Sequence, residues 1–142
     1  MKGVQAPSIQ SVIQREVARF VAVNRRRGES DLYLGRRAVR RHHRAVPLLV
    51  TPLSPQGSVD LSVSLCDVSS NGLAFRFSRP IRVGTPLAIR LFWHDRHAHR
   101  VPAVVRNCAP LDGAWRMGCE FALDDEALCT RAAELREHWY DA

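Results

Sequence analysis

Two stretches of this chain carry residue types that could act together on one ligand. The first, residues 67–72, reads D-V-S-S-N-G and stands where two alternating apolar runs meet. The Asp67 carboxylate can accept two hydrogen bonds from adjacent donors, the pattern presented by the N1 and N2 edge of a guanine. The Ser69 hydroxyl and nearby backbone N–H groups can donate to a phosphate oxygen. Gly72 permits a positive φ and a close approach of backbone to ligand. The same letters also have a plainer meaning. Asn71-Gly72 between apolar runs is a strong hairpin signal, and taken alone this stretch is a hairpin first.

The second stretch lies about twenty residues upstream, where Arg36, Arg37, Arg40, Arg41 and Arg44 crowd into "RRAVRRHHR". Guanidinium groups bind phosphate bidentately, read guanine O6 and N7 with the same fork, and lie flat on purine faces. A solvated basic stretch or a nucleic-acid arm would show the same cluster. Its charge is localised. Residues 1–44 hold eleven basic side chains against Glu16, Glu29 and Asp31, a net +8, while residues 45–142 hold ten against eleven. The whole +7 excess therefore belongs to the N-terminal third, as a basic arm ahead of a neutral domain that points to a phosphate-bearing partner.

Other chemistry is weakly represented. His97 and His99 share a strand face beside His94 and Asp95 and could co-ligate a metal, but solvated loop histidines are the commoner case and no metal is expected. His42 and His43 fall inside the arginine cluster, beside a ligand or in solvent. Cys66, Cys108, Cys119 and Cys129 form no CxxC pair and read as reduced packing residues. There is no nucleophile elbow, no glycine-rich phosphate loop and no HExxH, so an enzyme is not expected.

The elements that must position these residues follow from periodicity. Ser8 caps a helix to about Val23, with Ile9, Val12, Ile13, Val17, Phe20 and Val21 on one stripe and Arg15, Glu16 and Arg19 on the other side. That stripe must dock on the domain, pair with a copy of itself or meet another protein. Residues 24–35 read as a polar linker. Strands are expected over 46–53, 59–67, 73–77, 86–93, 100–108 and 115–121, broken by "SPQG", "SSNG", "RVGTP" and "PLDG". Pro47 and Pro52 confine the first strand to an edge or stand at its ends. Asp124 or Asp125 caps a last helix to about Tyr140, with Leu128, Ala132, Leu135 and Trp139 repeating, which plugs or flanks the sheet. The set is mainly β, an antiparallel barrel or sandwich. At 142 residues, 46% of them hydrophobic, the chain suits one core, and no run is long enough to span a membrane. No signal peptide is recognisable, and a cytoplasmic location is expected.

"RRHHR" ahead of the first strand and "DVSSNG" at the second hairpin together resemble the RxxxR and (D/N)xSxxG motifs of PilZ domains, receptors for the bacterial second messenger cyclic di-GMP. "AVVRN" and "WRMGCEF" are similar to that family's closing strands, with Gly118 and Phe121 in its GxxF pattern, and the likeness covers roughly residues 36–139. It implies a six-stranded antiparallel barrel with a C-terminal helix over residues 36–142, preceded by an amphipathic helix and basic linker over 1–35. With the second arginine just ahead of the first strand, Arg40 and Arg44 would engage guanine edges and phosphates, and Arg41 would be a secondary contact. Asp67 would hold a guanine, Ser69 a phosphate, Gly72 would keep the turn clear, and Arg106 would stack on guanine. Val39, aliphatic before the motif, implies one ligand per protomer. The expectation is a stand-alone, non-enzymatic receptor that orders its arginine arm on cyclic di-GMP and signals to a partner, or to a second copy, through the helix Ser8 to Val23. The alternative is an adaptor or nucleic-acid-binding barrel. The few aromatics, none among the arginines, disfavour nucleic acid.

Overall fold

Six antiparallel strands close into a barrel around the apolar residues that point inward. The computed structural model describes residues 8–33, 46–54, 59–92, 95 and 98–141, with side chains described up to residue 24 of the first helix and 135 of the last. The elements are α1 (Ile9–Tyr33), β1 (Pro47–Pro52), β2 (Leu61–Val68), β3 (Gly72–Phe77), β4 (Pro86–Arg90), β5 (Arg100–Leu111), β6 (Ala114–Phe121) and α2 (Glu126–Asp141). All pairings are antiparallel, in the closed order β1-β2-β3-β6-β5-β4. Leu48, Val50, Val63, Leu73, Phe75, Leu87, Ile89, Val101, Val105 and Met117 fill its interior. Closure leaves no open edge, so the two prolines of β1 stand at the ends of a paired strand.

Strand bounds shift where local chemistry overrides alternation. Val59 is 68% exposed and β2 begins only at Leu61. β4 ends at Arg90, short of Trp93. β5 runs on through Pro110 to Leu111, because the β5–β6 turn needs only Asp112 and Gly113, both at positive φ (45° and 80°). That Asp-Gly pair matches the twist of a two-residue hairpin.

The helices cover what the barrel leaves open. Ser8 caps α1, its Oγ accepting from Ser11 N at 3.1 Å. Ile13, Val17, Phe20 and Val21 are buried in the same cluster as the barrel interior, so the stripe docks on this chain's own barrel. Phe20 meets Phe92 edge-on at 5.4 Å, and Gln10 Nε2 donates to Leu123 O at 3.3 Å. Two expectations fail here. Residues 24–33 are helical rather than linker: arginine and glutamate are good helix formers, and lack of a stripe denies packing, not helix. Glu16 does not share Arg19's exposure. It is 7% exposed, its neighbours being Arg19, Asp95 and the backbone of His99. α2 flanks the barrel instead of plugging it: Ala132, Leu128 and Leu135 pack on Leu53 and Ala88, which explains why β4 is buried on both faces.

The registers gather one end of the barrel. There the start of β1, the β2–β3 turn, the β4–β5 connection and the β6–α2 junction come together, with α1 across them. On the outer wall Arg100, 2% exposed, donates through Nη1 to Thr51 Oγ1 and lies 3.4 Å from Asp60 Oδ1. The Thr51 hydroxyl donates to the same Asp60 oxygen at 2.5 Å, so Asp60 serves a buried cation rather than facing solvent alone.

Candidate functional site

Two β-bulges set the geometry of the site. On β2 the register slips between Leu65 and Asp67, leaving Cys66 in excess and bringing Asp67 opposite Ala74. On β5 it slips between Val105 and Asn107, leaving Arg106 in excess and bringing Asn107 opposite Gly118. Bulges re-aim side chains in this way. Because Ala74 pairs with Gly118, the row Asp67, Ala74, Gly118, Asn107 crosses four strands on the barrel's outer face. Its two central members are small, so the wall there is a floor with polar rims. A cavity of about 310 Å³ opens over it.

Asp67, Ser69, Gly72 and Arg106 all line that cavity, with Asn107, Arg116 and Glu120. Asp67 is exposed, and its Oδ1 accepts from Val68 N at 2.9 Å; no described hydrogen bond uses Oδ2. Ser69 N donates to Gly72 O at 2.8 Å, so Ser70 and Asn71 form the middle of the turn. Ser69 Oγ accepts from Asn71 N at 3.2 Å, which orients the hydroxyl at the cavity rim. Gly72 is required for a different reason than expected. Its φ is not positive, and it is the first residue of β3. A Cβ there would lie 2.0 Å from Cys119 O, so its absence lets β3 and β6 approach beneath the site. Gly118 acts similarly for a side chain: a Cβ would sit 2.6 Å from Asn107 Oδ1.

Charge is unevenly held. Arg106 Nε donates to Glu120 Oε1 at 2.9 Å, both side chains being more than half exposed. Arg116 stands opposite Arg76 across β3 and β6. Arg76 Nη2 donates to Asp112 O at 3.2 Å, whereas among the described residues no carboxylate or carbonyl pairs with Arg116. Lost hydration pushes the Cys66 thiol up, against the pull of Arg116 and then Arg76. A second, adjoining cavity of about 840 Å³ shares Asn71, Arg106 and Glu120 with the first and extends to Gln14 of α1 and the start of α2.

Arg36, Arg37, Val39, Arg40, Arg41, His42, His43 and Arg44 lie outside the described residues, as do His94 and His97. Val46, two residues beyond Arg44, is fixed at the site's edge: its carbonyl accepts from Leu65 N at 2.9 Å, two residues before Asp67. Among the described residues no cluster of three or more metal-ligating side chains occurs, and no helix is long and apolar enough to cross a membrane. Sequence reasoning missed Asn107, Arg116 and Glu120. The alternation of "WRMGCEF" puts Arg116, Gly118 and Glu120 on one face, a usable signal. Nothing in the letters marks the β5 bulge that turns Asn107 outward.

The family model described as PilZ domain matches residues 38–136. Among curated protein sequences none matches the chain. The PilZ domain of YcgR from Escherichia coli, solved with c-di-GMP, is similar over 65% of this chain and 80% of its own, at 14% identity and a TM-score of 0.43. The MrkH–c-di-GMP complex from K. pneumonia is similar over 62% of this chain and 45% of its own, at 18% identity and a TM-score of 0.42. This chain thus spans less than half of MrkH.

Proposed function

Because the chain belongs to the PilZ domain family, we propose that it is a non-enzymatic receptor for cyclic di-GMP, acting in the cytoplasm. One observation carries the reading. Asp67, Ser69 and Gly72 line the same cavity as Arg106, which lies on another strand far along the chain. A guanine would lie over the small floor of Ala74 and Gly118, with Asp67 accepting from its N1 and N2 and Arg106 stacking on its face. Ser69 would donate to a phosphate. Arg40 and Arg44 would complete the site from the segment that enters β1 beside Leu65, with Arg41 further out.

The energies are adequate. Each charge-assisted hydrogen bond contributes about 1.5–3 kcal/mol. Four or five of them, less the cost of ordering side chains, suit micromolar or tighter binding, which needs about 8 kcal/mol. The signal would be the engagement of the arginine segment, which joins α1 to β1 and so transmits ligand binding to α1. The apolar stripe of α1 is covered by the barrel. A protein partner or second copy would therefore meet α1's outer face, or the stripe only after release. We keep residues 36–142 as the ligand-binding domain on this reading.

Calorimetry with the full chain and cyclic di-GMP tests it. Saturable binding of one ligand per protomer is expected, weakened at least tenfold in both Asp67→Ala and Arg44→Ala. Absence of binding, or a salt-steep affinity for nucleic acid indifferent to Asp67, would replace the receptor with the adaptor alternative.

A further inference from the structure

We infer that Arg116, a residue outside both sequence motifs, is a phosphate-binding cation built into the barrel wall. The inference rests on the receptor reading and extends it. Three arginines stand at or beside the cavity, and two are already engaged. Arg106 is held by Glu120 at 2.9 Å, and Arg76 by Asp112 O at 3.2 Å. Arg116 lines the cavity with Asp67 and Ser69 and has no such acceptor among the described residues.

Its placement is unfavourable without an anion. Arg116 and Arg76 are register partners on β6 and β3, and both point away from the interior filled by Phe75 and Met117. Like charges directly opposite on paired strands are destabilising. A phosphodiester bound next to the guanine that covers Ala74 and Gly118, on the Arg116 side of the cavity, would relieve that repulsion. It would also meet a guanidinium whose strand is fixed on both sides, by β3 and β5. A preorganised donor loses less freedom on binding than one carried on a segment that must be ordered. The ligand has two phosphates, so a wall cation can serve one while Ser69 and the upstream arginines serve the other.

The test is calorimetry of cyclic di-GMP with the full chain as wild type, Arg116→Ala and Arg116→Lys, alongside thermal melting of each without ligand. Loss of a charge-assisted contact predicts affinity weaker by about tenfold or more in Arg116→Ala. Part of it should return in Arg116→Lys, which keeps a point charge but not the planar fork. Relief of the arginine pair predicts an unliganded Arg116→Ala melting at or above wild type, the opposite of what loss of a structural residue would do. Wild-type binding with Arg116→Ala unchanged overturns this assignment alone. A lowered melting temperature with no rescue by lysine also overturns it, in favour of a structural role. Failure of the wild type to bind overturns the receptor reading, and the assignment with it.

Discussion

At the scale of single residues, the site depends on what is missing as much as on what is present. Gly72→Ala would drive a Cβ to within 2.0 Å of the Cys119 carbonyl, a backbone atom that can yield only by moving β6. We expect it to lose about 1–3 kcal/mol in urea unfolding. In Gly118→Ala the nearest atoms to the new Cβ are those of the Asn107 side-chain amide, so the variant should keep most of its stability while binding cyclic di-GMP more weakly, because the displaced amide intrudes on the floor. Glu16 makes a prediction in pH. Burial raises its pKa above the ordinary 4.5, with Arg19 pulling the other way. A raised folded value means that the neutral carboxyl is favoured in the folded protein. This stabilising share is full below pH 4.5 and is lost as pH rises through the folded pKa. Glu16→Gln should therefore be more stable than wild type at pH 7, and the difference in urea midpoint should shrink towards pH 4. Asp67, Ser69 and Gly72 were legible as a group because one turn holds them. The reason for Gly72 was not, since its constraint comes from Cys119 on another strand.

At the scale of elements, periodicity carried the fold and failed where a third party intervened. All six strands were recognisable, β1 as a short apolar run and β2, β3 and β4 from alternation, and the α1 stripe from its three- and four-residue spacing. What the letters could not say is which surface the stripe would meet. Phe20 buries its ring on Phe92, with the Arg19 guanidinium 3.9 Å from the centroid of that same ring. Phe20→Ala should cost about 3–5 kcal/mol, measurable as a lower urea midpoint, and should leave far-UV strand signals intact at low urea. Glu16 was misplaced because a helix stripe read alone has no knowledge of the β4–β5 connection that folds over its flank. The bulges were illegible for a related reason. An extra residue in β5 or β2 is defined by the partner strand's count, and no single strand records it. Asp60→Ala would take from buried Arg100 the carboxylate 3.4 Å away, and a loss of about 1–3 kcal/mol in urea unfolding is expected.

At the scale of the whole molecule, the barrel's registers bring the β2–β3 turn and the start of β1 to one end. The +8 of residues 1–44 precedes β1 in the chain, and Val46, ahead of that strand, is bonded to Leu65 just before the turn. On the cavity's side stand carboxylates, Asp67 and Glu120 with Asp124, Asp125 and Glu126 just beyond. Without ligand, these can serve as counter-ions for the upstream arginines, as Glu120 does for Arg106. On the proposed receptor reading, ligand binding would be an exchange of counter-ions, carboxylate for phosphate, with Asp67 diverted to guanine. An exchange of this kind reaches beyond the site, because the arginine segment is covalently continuous with α1, whose stripe is part of the barrel's own core. Saturating cyclic di-GMP should accordingly slow amide hydrogen exchange across residues 25–45, and change it in α1 more than in β4, which lines neither cavity. If exchange across 25–45 were indifferent to ligand, binding would be confined to the barrel wall and the output would have to leave through the occupied surface itself.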